Sequence, residues 1–440
     1  MNFIKSKHNI FHKLHDSENY YIVNPLRGEA DFLDPETAEE YKSDAFSDPE
    51  EWLEKGYILP EGGEKAEKDL YRDYYLKFLE ERDQSEIQIF WVPTYGCNFA
   101  CSYCYQDQYA PSPAGNTMEV QKAFFDYVKK EFAGRQKYIT VFGGEPLLPG
   151  EGQKKLVIDL IERANEAGLS LAFVTNGYSL TEYIPILKKG SIREIQVTLD
   201  GIGETHDQRR PLKTGGGSYK TIVEGIDQAI KAGLTINLRA VLDRDNVNDL
   251  PKLAALARKR GWLETGLLKT QLGRNYELHS CQTDRNRLYD RVSMYKDIHD
   301  LIKDDSSILD FHKPAFSLSR FLAEQGKLPD PLFDSCPGCK TEWAFDYTGN
   351  IYSCTATVGK SGEELGTFFP VVTKKQEIIE EWEERDVSTI PECAGCSLQL
   401  ACGGGCASVA KNKNGRVQSP DCRPVDKLMA MGLPLYLNEE

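Results

Sequence analysis

The sequence predicts an α/β chain centred on a partial (β/α)6 TIM-type barrel, with a small N-terminal α+β segment before it and an irregular, cysteine-rich domain after it. Three observations predict this. Short apolar runs alternate with longer amphipathic ones between residues 86 and 272, the order that winds a parallel sheet. At 440 residues the chain is long for one core, so two or three units are expected. Eleven of its 12 cysteines fall in groups, at 97–104, 336–354 and 393–422, and Cys281 stands alone.

Residues 1–84 make the first unit. Strand-like pieces at 9–14, 20–24 and 28–33 precede helical stretches near 35–42 and 49–55, three strands and then helices. Residues 64–82 are charged and amphipathic, with Leu70, Tyr74, Phe78 and Leu79 on one side, a helix leading into the barrel. The barrel is expected over 85–275, with strands at 87–92, 138–142, 171–175, 194–199 and 235–242 and a sixth near 266–272. Helices near 117–132, 152–167, 180–189, 218–232 and 247–260 separate them. Six units fall short of the eight that close a barrel, and the loops after the strand C-termini are where chemistry is expected. Residues 276–330 read as a charged helical bridge. From 331 to 440, Cys, Gly and short turns dominate; with so little continuous apolar sequence, bound metal is expected to supply much of the order.

Composition narrows the function. Hydrophobic residues make up 40% and charged residues 28% of the chain, which excludes wholesale disorder. A net charge of −15 repels a phosphate backbone, so no nucleic-acid partner is expected and a peptide or small molecule is. No apolar run approaches a membrane span, and the N-terminal MNFIKSKHNIFHKL lacks an export signal's apolar core and cleavage site; no membrane partner and a cytoplasmic location are expected. A reducing cytoplasm would not keep 12 cysteines paired as disulfides, so metal ligation is the natural reading.

The segment CNFACSYC sets Cys97, Cys101 and Cys104 in a C-x3-C-x2-C arrangement just past the first barrel strand. Three thiolates on one loop can hold three irons of a cubane cluster and leave the fourth without a protein ligand. An open iron can chelate the amino and carboxylate groups of S-adenosylmethionine, so an electron reaching the cluster passes to the sulfonium and yields a 5′-deoxyadenosyl radical. Zinc is the alternative, and the segment offers it no nearby fourth Cys or His.

With this motif, the stretch 86–275 resembles the radical S-adenosylmethionine superfamily. The resemblance implies cofactor contacts at matching positions. Gly143, Gly144 and Glu145, followed by Pro146 after the second strand, match the turn that meets the methionine amino group, the glycines permitting close backbone approach. Tyr103 resembles the residue that contacts adenine through its backbone and ring edge. Thr198 and Asp200, in TLDG at the end of the fourth strand, and Arg210 beyond them resemble the stretch that holds ribose and carboxylate, a task suited to a planar, permanently charged guanidinium. Asn176, in TNG after the third strand, matches as well, although Asn-Gly is also a turn signal. Packing, a turn or an internal ion pair is the plainer alternative at each position.

The C-terminal pattern runs C-x9-G-x4-C from Cys339 through Gly349 to Cys354, then C-x2-C-x5-C-x3-C from Cys393 to Cys406, then Cys422. It resembles the SPASM domain of peptide-modifying radical enzymes, which holds two auxiliary [4Fe–4S] clusters and so implies three [4Fe–4S] clusters in all. The resemblance assigns Cys339, Cys354 and Cys406, with Cys336 as the fourth ligand, to the nearer auxiliary cluster, and Cys393, Cys396, Cys402 and Cys422 to the outer one. The x2 spacing from Cys336 to Cys339 is shorter than in the related sulfatase-maturing enzymes; without Cys336 the nearer cluster would keep an open iron able to take a substrate thiolate. Thr355 stands where those enzymes carry an aspartate base, which disfavours a sulfatase-type oxidation. Because Cys406 interleaves with the outer set, loss of either cluster is expected to unfold the domain. Zinc ribbons are the alternative.

The order of elements in residues 1–55, with YYIVNPLRGEA and then EEWLEKGYIL, resembles the recognition domain of enzymes that modify ribosomally made peptides, which bind a leader as an added strand; a plain extension of the barrel is the alternative. His8, His12, His15 and His206 are not assignable as ligands from spacing. Cys281 is a candidate catalytic or relay thiol, with a buried, inert thiol as the alternative, and no general base is assignable. Together these resemblances imply an oxidoreductase that takes a hydrogen from a precursor peptide and closes a thioether or carbon–carbon crosslink, supplied with electrons by a flavodoxin- or ferredoxin-type protein. Oxidation of one residue in a folded protein, action on a small molecule and a non-catalytic iron–sulfur carrier are the alternatives.

Overall fold

Six strands, Ile87–Val92, Lys137–Val141, Leu171–Thr175, Ile192–Thr198, Ile236–Leu242 and Leu268–Arg274, lie side by side in chain order, each parallel to the next, in a computed structural model that describes residues 3–108, 115–274 and 286–437. Helices Met118–Glu131, Glu151–Glu166, Leu180–Leu187, Tyr219–Lys231 and Leu250–Lys259 connect them, giving the expected partial barrel. Strand alternation sorts the side chains. In Ile236–Leu242 the buried Ile236, Leu238, Ala240 and Leu242 alternate with Asn237, Arg239 and Val241, and Arg239 and Val241 line a central cavity. The lumen-facing side chains are thus mixed polar and apolar, while the buried set joins the main core.

The C-terminal region departs from expectation. Glu342–Asp346 pairs with Ile87–Val92 as a seventh parallel strand, and Asn350–Tyr352, Gly366–Thr367 and Thr373–Lys374 continue the sheet antiparallel to ten strands. Phe345 packs among Phe124, Tyr127 and Phe368, and Cys336, Cys339 and Trp382 share the barrel's core. Burying Phe345 alone stabilises by about 2 kcal/mol. The region's few apolar residues, too scattered to show a period, thus gain a core by docking on an existing sheet edge, a source of order beside any bound metal.

In the N-terminal segment Ile10–Lys13, Tyr20–Asn24 and Glu29–Leu33 form an antiparallel sheet, followed by Pro35–Ser43 and Pro49–Glu54. Both helices begin at Pro after an Asp cap; Asp34 accepts from Thr37 N at 2.7 Å, which satisfies an otherwise unpaired N–H. Phe3–Lys5 pairs with Ile58–Pro60, a ribbon too short to announce itself in the sequence. The helix Glu64–Gln84 lays Leu70, Tyr71, Tyr74, Tyr75 and Phe78 against Phe333, Val387, Ile390 and Cys393, so it braces the C-terminal domain as well as leading into the barrel. Arg291–Asp304, Ile308–Phe311 and Ser319–Gln325 make the bridge. The last helix, Val425–Tyr436, returns to the N-terminal sheet, where Tyr21 Oη donates to the Asp426 carbonyl at 2.7 Å. Among the described residues no helix is long and apolar enough to cross a membrane.

Candidate functional site

The loop after Ile87–Val92 carries Cys97, Cys101 and Cys104, and its backbone is tied to neighbouring loops. Gly144 N donates to Thr94 O (2.9 Å), Glu145 N to Gly96 O (2.8 Å), Ala100 N to Pro211 O (2.9 Å) and Ser102 N to Arg209 O (3.0 Å). A Cβ on Gly144 would lie 2.1 Å from Gly96 O. The close approach that this glycine permits is therefore to the cysteine loop's own backbone. Gly143 adopts φ +119° with Val92 Cγ1 where a Cβ would go, a conformation open to glycine.

A cavity of about 680 Å³ opens above this loop, and Cys97, Cys101, Cys104, Tyr103, Gly143, Gly144, Asn176, Thr198 and Arg210 all line it. Glu145 and Asp200 do not line it; they are 1% and 0% exposed and hold the others. Glu145 accepts from Thr175 Oγ1 (2.6 Å), Leu147 N (2.8 Å) and Asn176 N (2.6 Å). Burial pushes its pKa up, and those hydrogen bonds pull against the rise,. Asp200 accepts from Val241 N at 2.8 Å and from the Tyr103 hydroxyl, which in turn accepts from Arg210 Nη1 at 2.5 Å. The ring of Tyr103 is thus pinned by both charges.

Sequence reasoning missed two residues beneath this triad. Arg209, 5% exposed, donates to Asp243 at 2.7 Å and lies 3.7 Å from Asp200; its only signal was the Arg-Arg pair. His206 accepts from Asp200 N at 3.2 Å and meets Ser218 Oγ at 3.1 Å. Burial, then Arg210, lowers its pKa to about 3, so the ring is neutral and holds the Asp200 backbone as an acceptor.

The thiols form three sets. Phe99 N donates to Cys97 Sγ at 3.4 Å, and burial pushes this thiol up to about 12, with Glu145, Cys101 and Cys104 adding to the rise. Cys336, Cys339, Cys354 and Cys406 make the second set. Burial pushes up Cys354, then Glu342, Cys336 and Cys406; Cys339 is raised by burial, then Cys354, Glu383 and Cys336. Cys336 therefore stands with the other three. In the third set burial pushes Cys393 up to about 11, with Cys402, Cys396 and Cys422 adding to it. Thiols gathered in sets of three and four are a donor set suited to a metal centre. Among the described residues, the three ligand atoms drawn within 4.8 Å of one another belong to His15, His299 and Asp300, and the cysteine sets are wider. A tetrahedral zinc with Zn–S near 2.3 Å would place its sulfurs about 3.8 Å apart. Wider all-cysteine sets suit an iron–sulfur cubane better than zinc. Cys281 lies outside the described residues.

The second set touches the first set's cavity. Thr355 and Ala356, directly after Cys354, line it beside the barrel loop, where Tyr105 Oη donates to Thr355 O at 3.1 Å. Between the second and third sets lies Arg385, wholly buried, which donates to the carbonyls of Gly404 (2.7 Å), Gly405 (3.2 Å), Val417 (2.9 Å) and Ser419 (2.9 Å). Lys340 pairs with Asp334 and donates to Arg385 O at 2.7 Å.

Residues 91–257 match the Radical SAM superfamily. The mycofactocin maturase MftC of Mycolicibacterium smegmatis is 26% identical over 330 residues, 72% of this chain and 76% of that one. An AdoMet-dependent heme synthase of Methanosarcina barkeri is 30% identical over 177 residues, of which this chain spans 47% of the relative's length. Among solved structures, anSMEcpe with bound AdoMet and Cp18Cys peptide superimposes with a TM-score of 0.62 at 18% identity, covering 80% of this chain and 98% of that one. SuiB of Streptococcus suis bound to S-adenosylmethionine gives 0.54 at 15% identity, covering 96% and 99%. The two structures share the fold.

Proposed function

From the premise that this chain is a radical S-adenosylmethionine enzyme, with that cofactor and a [4Fe–4S] cluster at its barrel, we propose that it installs an oxidative crosslink, thioether or carbon–carbon, within a precursor peptide. The observation that carries this reading is the shared cavity, lined both by Cys97, Cys101 and Cys104 and by Thr355 and Ala356, the two residues after Cys354. The first three cysteines would hold the cluster that takes the cofactor. Tyr103, Gly143, Gly144, Asn176, Thr198 and Arg210 would touch the cofactor, with Glu145 fixing Asn176 and Asp200 fixing Tyr103. Cys336, Cys339, Cys354 and Cys406 would hold the nearer auxiliary cluster, and Cys393, Cys396, Cys402 and Cys422 the outer one. When bound, these groups supply hydrogen abstraction from a substrate carbon and removal of one further electron, the two-electron oxidation that a crosslink requires.

The relatives support a peptide substrate: one is a maturase, and SuiB is also solved with its precursor peptide SuiA. A leader would add to the strand Glu29–Leu33, the outer edge of the N-terminal sheet, since Ile10–Lys13 at the other edge is backed by Val425–Tyr436,. A flavodoxin- or ferredoxin-type protein would deliver the electrons. Co-expression with a short peptide encoded beside the gene, followed by tandem mass spectrometry, tests the reading. The expected result is a loss of two hydrogens per ring, with no backbone fragments inside the ring. An unchanged mass, or a change confined to one residue, would overturn it.

A further inference from the structure

The cavity wall carries a surplus of positive charge that the chain's net charge hides. Five cations line it, Arg193, Arg210, Arg239, Lys269 and Arg274, against two carboxylates, Glu86 and Glu194. The carboxylates are matched: Arg193 pairs with Glu86 at 2.8 Å and lies over Tyr138, and Lys269 pairs with Glu194 at 2.8 Å. Arg210 is taken by Tyr103, and Arg274 donates to the Tyr289 carbonyl. Arg239 is different. Like Arg210 it has a buried Nε without a hydrogen-bond partner, but unlike the other four cations it pairs with no carboxylate, hydroxyl or carbonyl among the described residues. The side chain is only half-buried and lines the cavity, so a ligand entering there can meet its outer nitrogens.

Its position says which ligand. Arg239 is level with Thr198 in the sheet register, but its side chain leans the other way, over the last barrel strand. A Cβ on Gly273 would lie 3.1 Å from its Nη2 and 3.2 Å from its Nε. The absence of a side chain at 273 makes the room that the guanidinium fills. Leu268–Arg274 is the free edge of the sheet, where the barrel stays open. The charge thus faces the open side of the lumen, four strands across from the strand that delivers Cys97.

We propose that Arg239 anchors a carboxylate of the substrate, an acidic side chain or the free C-terminus of the peptide segment entering the cavity. This rests on the peptide reading above and adds the chemical class of residue that the site takes. A guanidinium matches a carboxylate with two parallel hydrogen bonds, and Gly273 leaves the room in which this one is seated.

The test compares Arg239→Gln with the wild-type holoenzyme on the precursor peptide, on its Asp/Glu→Asn/Gln form and on its C-terminal amide. The expected result is a KM raised about 10- to 100-fold by the substitution, with kcat changed far less. One of the two neutralised peptides should show the same loss on the wild type and no added loss on the variant, which identifies the carboxylate. The S-adenosylmethionine Kd should move less than about twofold. A raised cofactor Kd with unchanged peptide KM, or equal losses on every peptide, would overturn the proposal. Phenylglyoxal labelling of wild-type Arg239, mapped by mass spectrometry, separates this proposal from the peptide reading: protection by N-acetylglutamate but not by the carboxylate-free N-acetylglutaminamide supports a carboxylate site even where no peptide is modified, and equal labelling with both would sink it.

Discussion

The barrel's three cysteines and the C-terminal eight are held in opposite ways. Cys97, Cys101 and Cys104 sit partly buried on a loop anchored by its own backbone through Thr94–Gly144, Gly96–Glu145 and Ala100–Pro211 hydrogen bonds, which hold its shape without involving sulfur. The C-terminal sets are laced together by a buried cation. Arg385 gathers the carbonyls of the two residues before Cys406 and of Val417 and Ser419 in the segment before Cys422, and Asp334 and Lys340 close the network beneath Cys336. One region presents its thiols to a cavity; the other builds its fold around them. The difference predicts that ligand loss is a chemical lesion in the first and a structural one in the second.

The largest expected effect breaks the comparison at its centre. On the two auxiliary clusters proposed above, Cys406→Ser should remove both, because Cys406 lies between outer-set cysteines while its thiol joins the nearer set. Bound iron should fall from about twelve to about four per chain, with a marked loss of thermal stability. Cys101→Ser should leave about eight irons and a nearly unchanged melting curve, yet abolish 5′-deoxyadenosine formation. Iron assay and circular dichroism decide this, and equal melting losses in the two variants would erase the distinction.

Next comes the scaffold without the sulfur. Arg385→Met keeps every cysteine but strips four buried carbonyls of their donor, at a cost of about 3–5 kcal/mol,. The urea midpoint should drop by about 1–2 M. In the barrel the corresponding lesion is milder. Tyr103→Phe removes the hydroxyl between Asp200 and Arg210, and should weaken S-adenosylmethionine about tenfold in equilibrium binding while costing about 1–2 kcal/mol of stability. A Tyr103 variant as unstable as the Arg385 variant would show that the barrel loop is scaffold too.

These residues also mark how far the sequence could be read. The C-x3-C-x2-C group was legible because its ligands share one loop, and the barrel strands because each is an apolar run between amphipathic helices. Arg385 was not, since its partners are carbonyls at 404, 405, 417 and 419, which leave no side-chain pattern. Glu342–Asp346 was not, because five residues without a following helix give no signal of joining a parallel sheet. Asp200 and Glu145 match family positions, but only the structure separates residues that face the cavity from those that hold its walls.

The smallest effect concerns acid. His206, in the barrel, has its pKa lowered to about 3 by burial and then Arg210; His312, against Thr270, is lowered to about 4 by burial and then Arg320. Both rings are neutral in the folded chain, whereas unfolding lets them titrate near 6.5. A histidine depressed in this way contributes stability that is complete above pH 6.5 and is lost as pH falls toward the folded value, by up to about 1.4 kcal/mol per pH unit for each ring. Both rings belong to the barrel side, and no His occurs from residue 331 onward, so mild acid should loosen the barrel before the cysteine domain. Gln at 206 can accept from Asp200 N and donate to Ser218 as the neutral ring does. His206→Gln should therefore flatten the acid limb of the denaturation free energy between pH 6 and 4 by about 1.4 kcal/mol per pH unit, and curves that run parallel to the wild type would place the acid sensitivity elsewhere.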